Sequence, residues 1–211
     1  MRLDRLTFPI VQISLDVTSL DKAVETAAAA VDAGVDWLEA GTPLICTRMA
    51  ALAGADPLIV AGRAADAPRL ETARRLGATR AVDVEHDSLE EIVRGLDPLG
   101  ADLVCDATGA SRPLAAALSL ARPGGQITKV GWSPDVVAID VNPLVQKNVH
   151  LQGSFSHNYP VWERVIHLLD RRLTMPETIV GLRAPLDRWR EAFDAMHEGR
   201  VIKSVLVPGM S

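Results

Sequence analysis

Cysteine is nearly absent from this chain: Cys46 and Cys105 are the two in 211 residues. That count excludes a disulfide framework and a cysteine-built zinc knuckle, and the apolar setting of each residue predicts two buried thiols in a cytoplasmic protein. Lysine is scarce too, occurring at Lys22, Lys129, Lys147 and Lys203. With a net charge of −5, the balance argues against a nucleic-acid partner, whose phosphates bind clustered cations. The arginine pairs Arg74–Arg75 and Arg171–Arg172 fall in helical segments and read as solvated faces. No uncharged apolar run approaches the length of a membrane span, so no membrane partner is expected. The opening MRLDRLTF is charged and lacks an apolar h-region, so no secretory leader is expected either. The histidines (His86, His150, His157, His167 and His197) are scattered without H-E-x-x-H or similar ligand spacing.

What remains is ordinary for a globular protein, 48% hydrophobic and 23% charged, enough for one domain or two small ones. Between Leu58 and Trp132, short runs rich in Val and Ile alternate with longer segments of helical period, bounded by Gly or Pro. That rhythm predicts βαβ units feeding a parallel sheet. Ligands of open α/β sheets bind at the carboxyl edge of the strands, which places the functional residues there.

The N-terminal part has a similar rhythm. IVQISLDV (10–17) reads as a strand ending at Asp16, and Thr18 with Asp21 forms a capping box for a helix that stops at Gly34. VDWLEAG (35–41) reads as a second strand carrying Glu39 near its end, and Pro43 suits the first turn of the next helix. Further on, Asp66 caps a helix with Pro68 in its first turn and Gly77 at its end, and Ser88 with Glu91 caps another.

QISLDVTSLDKA and AVDAGVDWLEAGTPLI, about a fifth of the chain, resemble the 3-hexulose-6-phosphate synthase group of the orotidine-phosphate-decarboxylase barrel superfamily. The resemblance implies an aldehyde-lyase in which Asp16 lies at the phosphosugar and Glu39 helps hold Mg²⁺, a cation that takes carboxylate oxygens. That family also needs Asp-x-Lys-x-x-Asp on its third strand, and none of the four lysines has Asp two positions before it. Asp16 and Glu39 therefore read as carboxylates solvated at strand ends, with the Mg²⁺ site as the alternative.

From Cys46 onward, CTRMAALAGADPLIVAGRAADAPRLETARRLGATRAVDV, ADLVCDATGA, LARPGGQITKVGW, KNVHLQGSF, WERVIHLLDRR and GRVIKSVLVP resemble the medium-chain, zinc-type alcohol dehydrogenases, particularly the threonine and sorbitol branch. The resemblance implies a Rossmann-like, open, mostly parallel sheet with helices on both faces, to which the barrel-like βαβ unit is added at one end. Residues 1–45 would supply the first strands, and residues 46–211 an NAD(P)-binding domain with the dehydrogenase tail. The zinc domain of that family, with its Cys, His and Glu ligands, has no counterpart. No catalytic residue and no zinc are therefore assigned, and the chain is expected to be inactive by itself.

The cofactor contacts carry over by position. The glycine-rich turn is replaced by GTPLI, which leaves Gly41 and Thr42 at the pyrophosphate slot. The end of the next strand reads Gly62–Arg63, where an arginine favours the 2′-phosphate of NADP over NAD. Ala107, Thr108 and Gly109, then Val130, Gly131 and Trp132, form two loops along the nicotinamide half. Ser154 and Phe155 lie near the same ring, and Lys203 stands where a basic residue reaches the pyrophosphate.

A homodimer is implied through VHLQGSF, and apolar residues around Trp132, Pro143 to Val145 and Phe155 are expected to be exposed. A non-enzymatic dimeric scaffold is the remaining reading. The seam near GTPLI is where a recombined or designed chimera would join.

Overall fold

Every strand pair among the described residues runs parallel. The computed structural model describes residues 12–14, 37–39, 42–108, 110–131, 136–156 and 158–210. The chain divides into two units, Met1–Asp83 with Trp162–Ser211, and Val84–Val161.

In the first unit, β1 (Gln12–Ser14) pairs with β2 (Trp37–Glu39), setting Gln12 opposite Trp37 and Ser14 opposite Glu39. The capping box at Thr18 and Asp21 lies outside the described residues. Helix α1 (Thr42–Leu52) carries Pro43 in its first turn, where a missing N–H costs nothing. Strands β3 (Ile59–Gly62) and β4 (Arg80–Asp83) are joined through α2 (Ala67–Arg75), the expected βαβ crossover. Asp66 occupies the N-cap position of α2, but its carboxylate is used elsewhere. It accepts the Arg63 amide at 3.2 Å and the Arg69 guanidinium at 2.9 Å. Gly77 follows the helix at φ +115°, and a Cβ there would lie 2.6 Å from the Ala51 methyl.

Strands β8 (Val180–Pro185) and β9 (Lys203–Val207) also pair in parallel, and α7 (Trp189–His197) connects them. The Ser204 hydroxyl donates to the Ala192 carbonyl at 2.8 Å and fastens α7 to β9. Leu44, Ala73, Leu76 and Ile179 form the core of this unit, so it draws on both stretches of chain. Arg48 Nε adds a bond to the Leu173 carbonyl at 2.5 Å.

The second unit is contiguous. Ser88 accepts the Glu91 amide at 3.2 Å and caps α3 (Leu89–Leu96), as the Ser-x-x-Glu spacing predicts. A three-stranded sheet then has the order β5 (Ala101–Asp106), β6 (Ala121–Lys129), β7 (His150–Gly153). The first crossover is α4 (Ser111–Leu120), and the second contains the short helix α5 (Asn142–Gln146). Register breaks after Ala101 and is regular from Leu103↔Gln126 to Asp106↔Lys129. Leu114, Ala117, Leu118, Ala121, Ile127 and Val149 form the core, with Val104 and Leu144 packed against it. The boundary between the units falls within α6 (Tyr159–Asp170).

The thiols depart from expectation: Cys46 is half-buried and Cys105 is exposed. Side chains alternate along a strand, and Val104 takes the core face of β5, so its neighbour Cys105 faces the other way. Lys147 is a second surprise. Its ammonium donates to the carbonyls of Leu118, Ser119 and Ala121 at 2.9, 2.7 and 3.2 Å, closing the C-terminal end of α4. Desolvation, with the nearby Arg94 charge, lowers its pKa from the usual lysine value, and Glu90 partly offsets the shift. Parallel strands with helical crossovers make this an α/β, Rossmann-like architecture.

Candidate functional site

Three strand ends meet at the carboxyl edge of the second unit. Strand β5 ends at Asp106 and β6 at Lys129, and the parallel register sets these residues directly opposite each other. Opposite charges on facing positions attract, and here the Lys129 ammonium lies 3.0 Å from Asp106 Oδ2. The aspartate side chain is 2% exposed and the lysine 18%, so screening by water is weak.

Each partner also holds backbone. Asp106 Oδ1 accepts the Thr108 amide at 2.9 Å and the Thr108 hydroxyl at 2.7 Å, which bends the chain sharply after β5. The Ala110 amide donates back to the Thr108 hydroxyl at 3.3 Å. Lys129 Nζ donates to the Gly131 carbonyl at 2.5 Å. The Val130 and Gly131 amides both reach the Asp106 carbonyl, at 2.8 and 3.1 Å, and the Ser154 amide reaches the Lys129 carbonyl at 2.9 Å. Ala107–Thr108, Val130–Gly131 and Ser154 are thus tied into one framework by two charged residues. Thr108, Ser154 and Phe155 are exposed, and Val130 and Gly131 half-buried, so the framework presents both backbone and side chains to a ligand.

The other expected residues stand elsewhere. Thr42 opens α1, half-buried. Gly62 ends β3, where an added Cβ would press within 3.2 Å of Leu70 and Asp66. Arg63 follows in extended conformation and is exposed. Lys203 opens β9 opposite Val180 and is buried, at 9% exposure. Glu39 ends β2. Asp16, Gly41, Gly109 and Trp132 lie outside the described residues.

Neither Asp106 nor Lys129 was among the residues picked from sequence. The usable signal was a pair of apolar strands, LVCD and ITK, each ending in a charge of opposite sign. No group of three His, Cys, Asp or Glu able to hold a metal occurs among the described residues, so these do not fit a zinc centre.

Comparison with known proteins completes the picture. The family described as zinc-binding dehydrogenase matches residues 41–171. D-arabitol-phosphate dehydrogenase of Enterococcus avium is 36% identical over 151 residues, covering 71% of this chain and 43% of the relative. Among solved structures, the alcohol dehydrogenase TADH from Thermus sp. ATN1 superposes with a TM-score of 0.71 at 26% identity, covering 78% of this chain and 47% of that one. A short chain alcohol dehydrogenase from E. coli CFT073, complexed with NADH, has the same fold with a TM-score of 0.69 at 21% identity, covering 79% of this chain and 49% of that one. This chain spans about half the length of the curated relatives it matches.

Proposed function

The chain belongs to the zinc-binding dehydrogenase family, and from that premise we propose that the carboxyl edge of β5, β6 and β7 binds a nicotinamide dinucleotide. In this reading the protein is the cofactor-binding part of a zinc-type alcohol or polyol oxidoreductase. The observation that carries it is the joining of Thr108, Gly131 and Ser154 through Asp106 and Lys129. Convergent backbone and a few polar groups at parallel strand ends are what a planar, amide-bearing ring requires. Ala107, Thr108, Val130, Gly131, Ser154 and Phe155 would hold the nicotinamide half. Thr42 and Lys203 are proposed for the pyrophosphate.

A bound nicotinamide supplies hydride transfer. Oxidising an alcohol further needs a Lewis acid or an acid–base group beside the ring. Because the described residues do not fit a zinc centre, cofactor binding without alcohol turnover is the activity proposed for this chain by itself.

Arg63, exposed just beyond β3, carries the proposed preference for NADP. A guanidinium pairs bidentately with phosphate, and losing one such contact costs roughly tenfold in affinity. Titration with NADPH and NADH, followed by energy transfer from tryptophan, should show saturable binding that is tighter for NADPH. Arg63→Ala should then bring the two affinities together. Absence of binding at millimolar cofactor would reject the proposal.

Self-association belongs to the same reading. All four residues of the edge strand β7 are exposed, as are Val145 and Phe155, at 84% and 86%. Pro143 and Leu144 are half-buried rather than exposed, and Trp132 lies outside the described residues. Sedimentation velocity should show a homo-oligomer, and a single monomeric boundary across concentrations would count against it.

A further inference from the structure

We propose that Lys129 is a positioning residue for the nicotinamide end of the dinucleotide, acting through the Gly131 carbonyl; this rests on the cofactor-binding reading above. The ammonium has two neighbours of different kinds. Its directed bond goes to Gly131, at 2.5 Å. Asp106 Oδ2 lies 3.0 Å away, at ion-pair distance. Asp106 therefore supplies countercharge on one oxygen and anchors Thr108 on the other.

A sheet does not require this arrangement. An apolar pair of similar size closes a strand end at least as stably as a buried ion pair does, because desolvation offsets much of the attraction. What the ion pair adds is orientation. Lys129 fixes the Gly131 peptide relative to β5, while the Lys129 carbonyl takes the Ser154 amide from the β7 side. The three ligand-facing segments thus share one side chain and its own peptide. Removing the amine frees the Gly131 peptide to rotate, at the end of the ligand that lies against β6.

The test compares NADH with ADP-ribose, which lacks the nicotinamide ring, by titration calorimetry on the whole chain. Lys129→Met should weaken NADH roughly tenfold, the scale of one charge-assisted hydrogen bond. ADP-ribose should stay within about twofold of its original affinity. Lys129→Arg, which keeps cation and donors, should restore the NADH affinity. The double variant Asp106→Asn/Lys129→Met removes both charges while Asn retains an acceptor for Thr108. It guards against misfolding of the single variant and should show the same selective loss. Equal weakening of both ligands, or a double variant with unchanged NADH affinity, would overturn the role of Lys129 while leaving dinucleotide binding intact. If the unmodified protein bound neither ligand, the cofactor reading would fall and this inference with it.

Discussion

Gly100→Ala is expected to destabilise the protein by more than about 4 kcal/mol, a large share of the roughly 5–15 kcal/mol that holds a domain folded. Gly100 makes the turn into β5 at φ +108°, a conformation that L side chains rarely adopt. The strain alone amounts to about 1–3 kcal/mol. A Cβ would also lie 2.3 Å from the Leu120 carbonyl oxygen, with Arg122 N and Ala121 C at 3.2 and 3.3 Å. All three are backbone atoms at the junction of α4 and β6, so no side chain can swing aside. Gly95 is the natural control. It lies within α3, with open space around the position of a Cβ. Gly95→Ala should stabilise by about 0.5–1 kcal/mol through helix propensity. Urea unfolding of the two variants should therefore move in opposite directions, and a Gly100→Ala midpoint near that of the unmodified protein would refute the geometry of this turn.

The second large effect belongs to Asp106. Replacing it with alanine strips the Lys129 ammonium of its countercharge and leaves the Thr108 amide and hydroxyl without their acceptor. Breaking a buried pair from one side costs about 3–5 kcal/mol, whereas removing both charges costs far less. Asp106→Ala should thus be much more damaging than Asp106→Asn/Lys129→Met, and the two positions should be strongly non-additive in a double-mutant cycle. An Asp106→Ala variant within about 1 kcal/mol of the parent would show that the pair is solvated and carries little.

How much of this was legible beforehand varies with the physical signal. Strand–helix alternation was readable because apolar runs bounded by Gly and Pro report local backbone preference directly. The ends of β5 and β6 were readable for the same reason, since a strand end is a local event, whereas the assignment of the loops after β5, β6 and β7 to a cofactor came only from the resemblance to the dehydrogenases. The Asp106–Lys129 pair was not, because it depends on which residue of one strand faces which residue of another. That register depends on packing between elements rather than on local pattern. Cys105 shows the same limit on a smaller scale: its apolar neighbours indicate a strand but not which face of it meets the core. At Asp66 the position was right and the bond was not. The Arg63 amide and the Arg69 guanidinium compete for the carboxylate, and a cap preference is blind to such rivals.

The division of the chain also has a consequence in time. The core of the first unit needs Leu44 and Leu76 together with Ile179, and the bond from Arg48 to Leu173 spans 125 residues. Among the described residues, the core of the second unit falls entirely within 84–161. Within this chain α1 and α2 precede Ile179, so the core they share with it closes only after the residues of the second unit have been made.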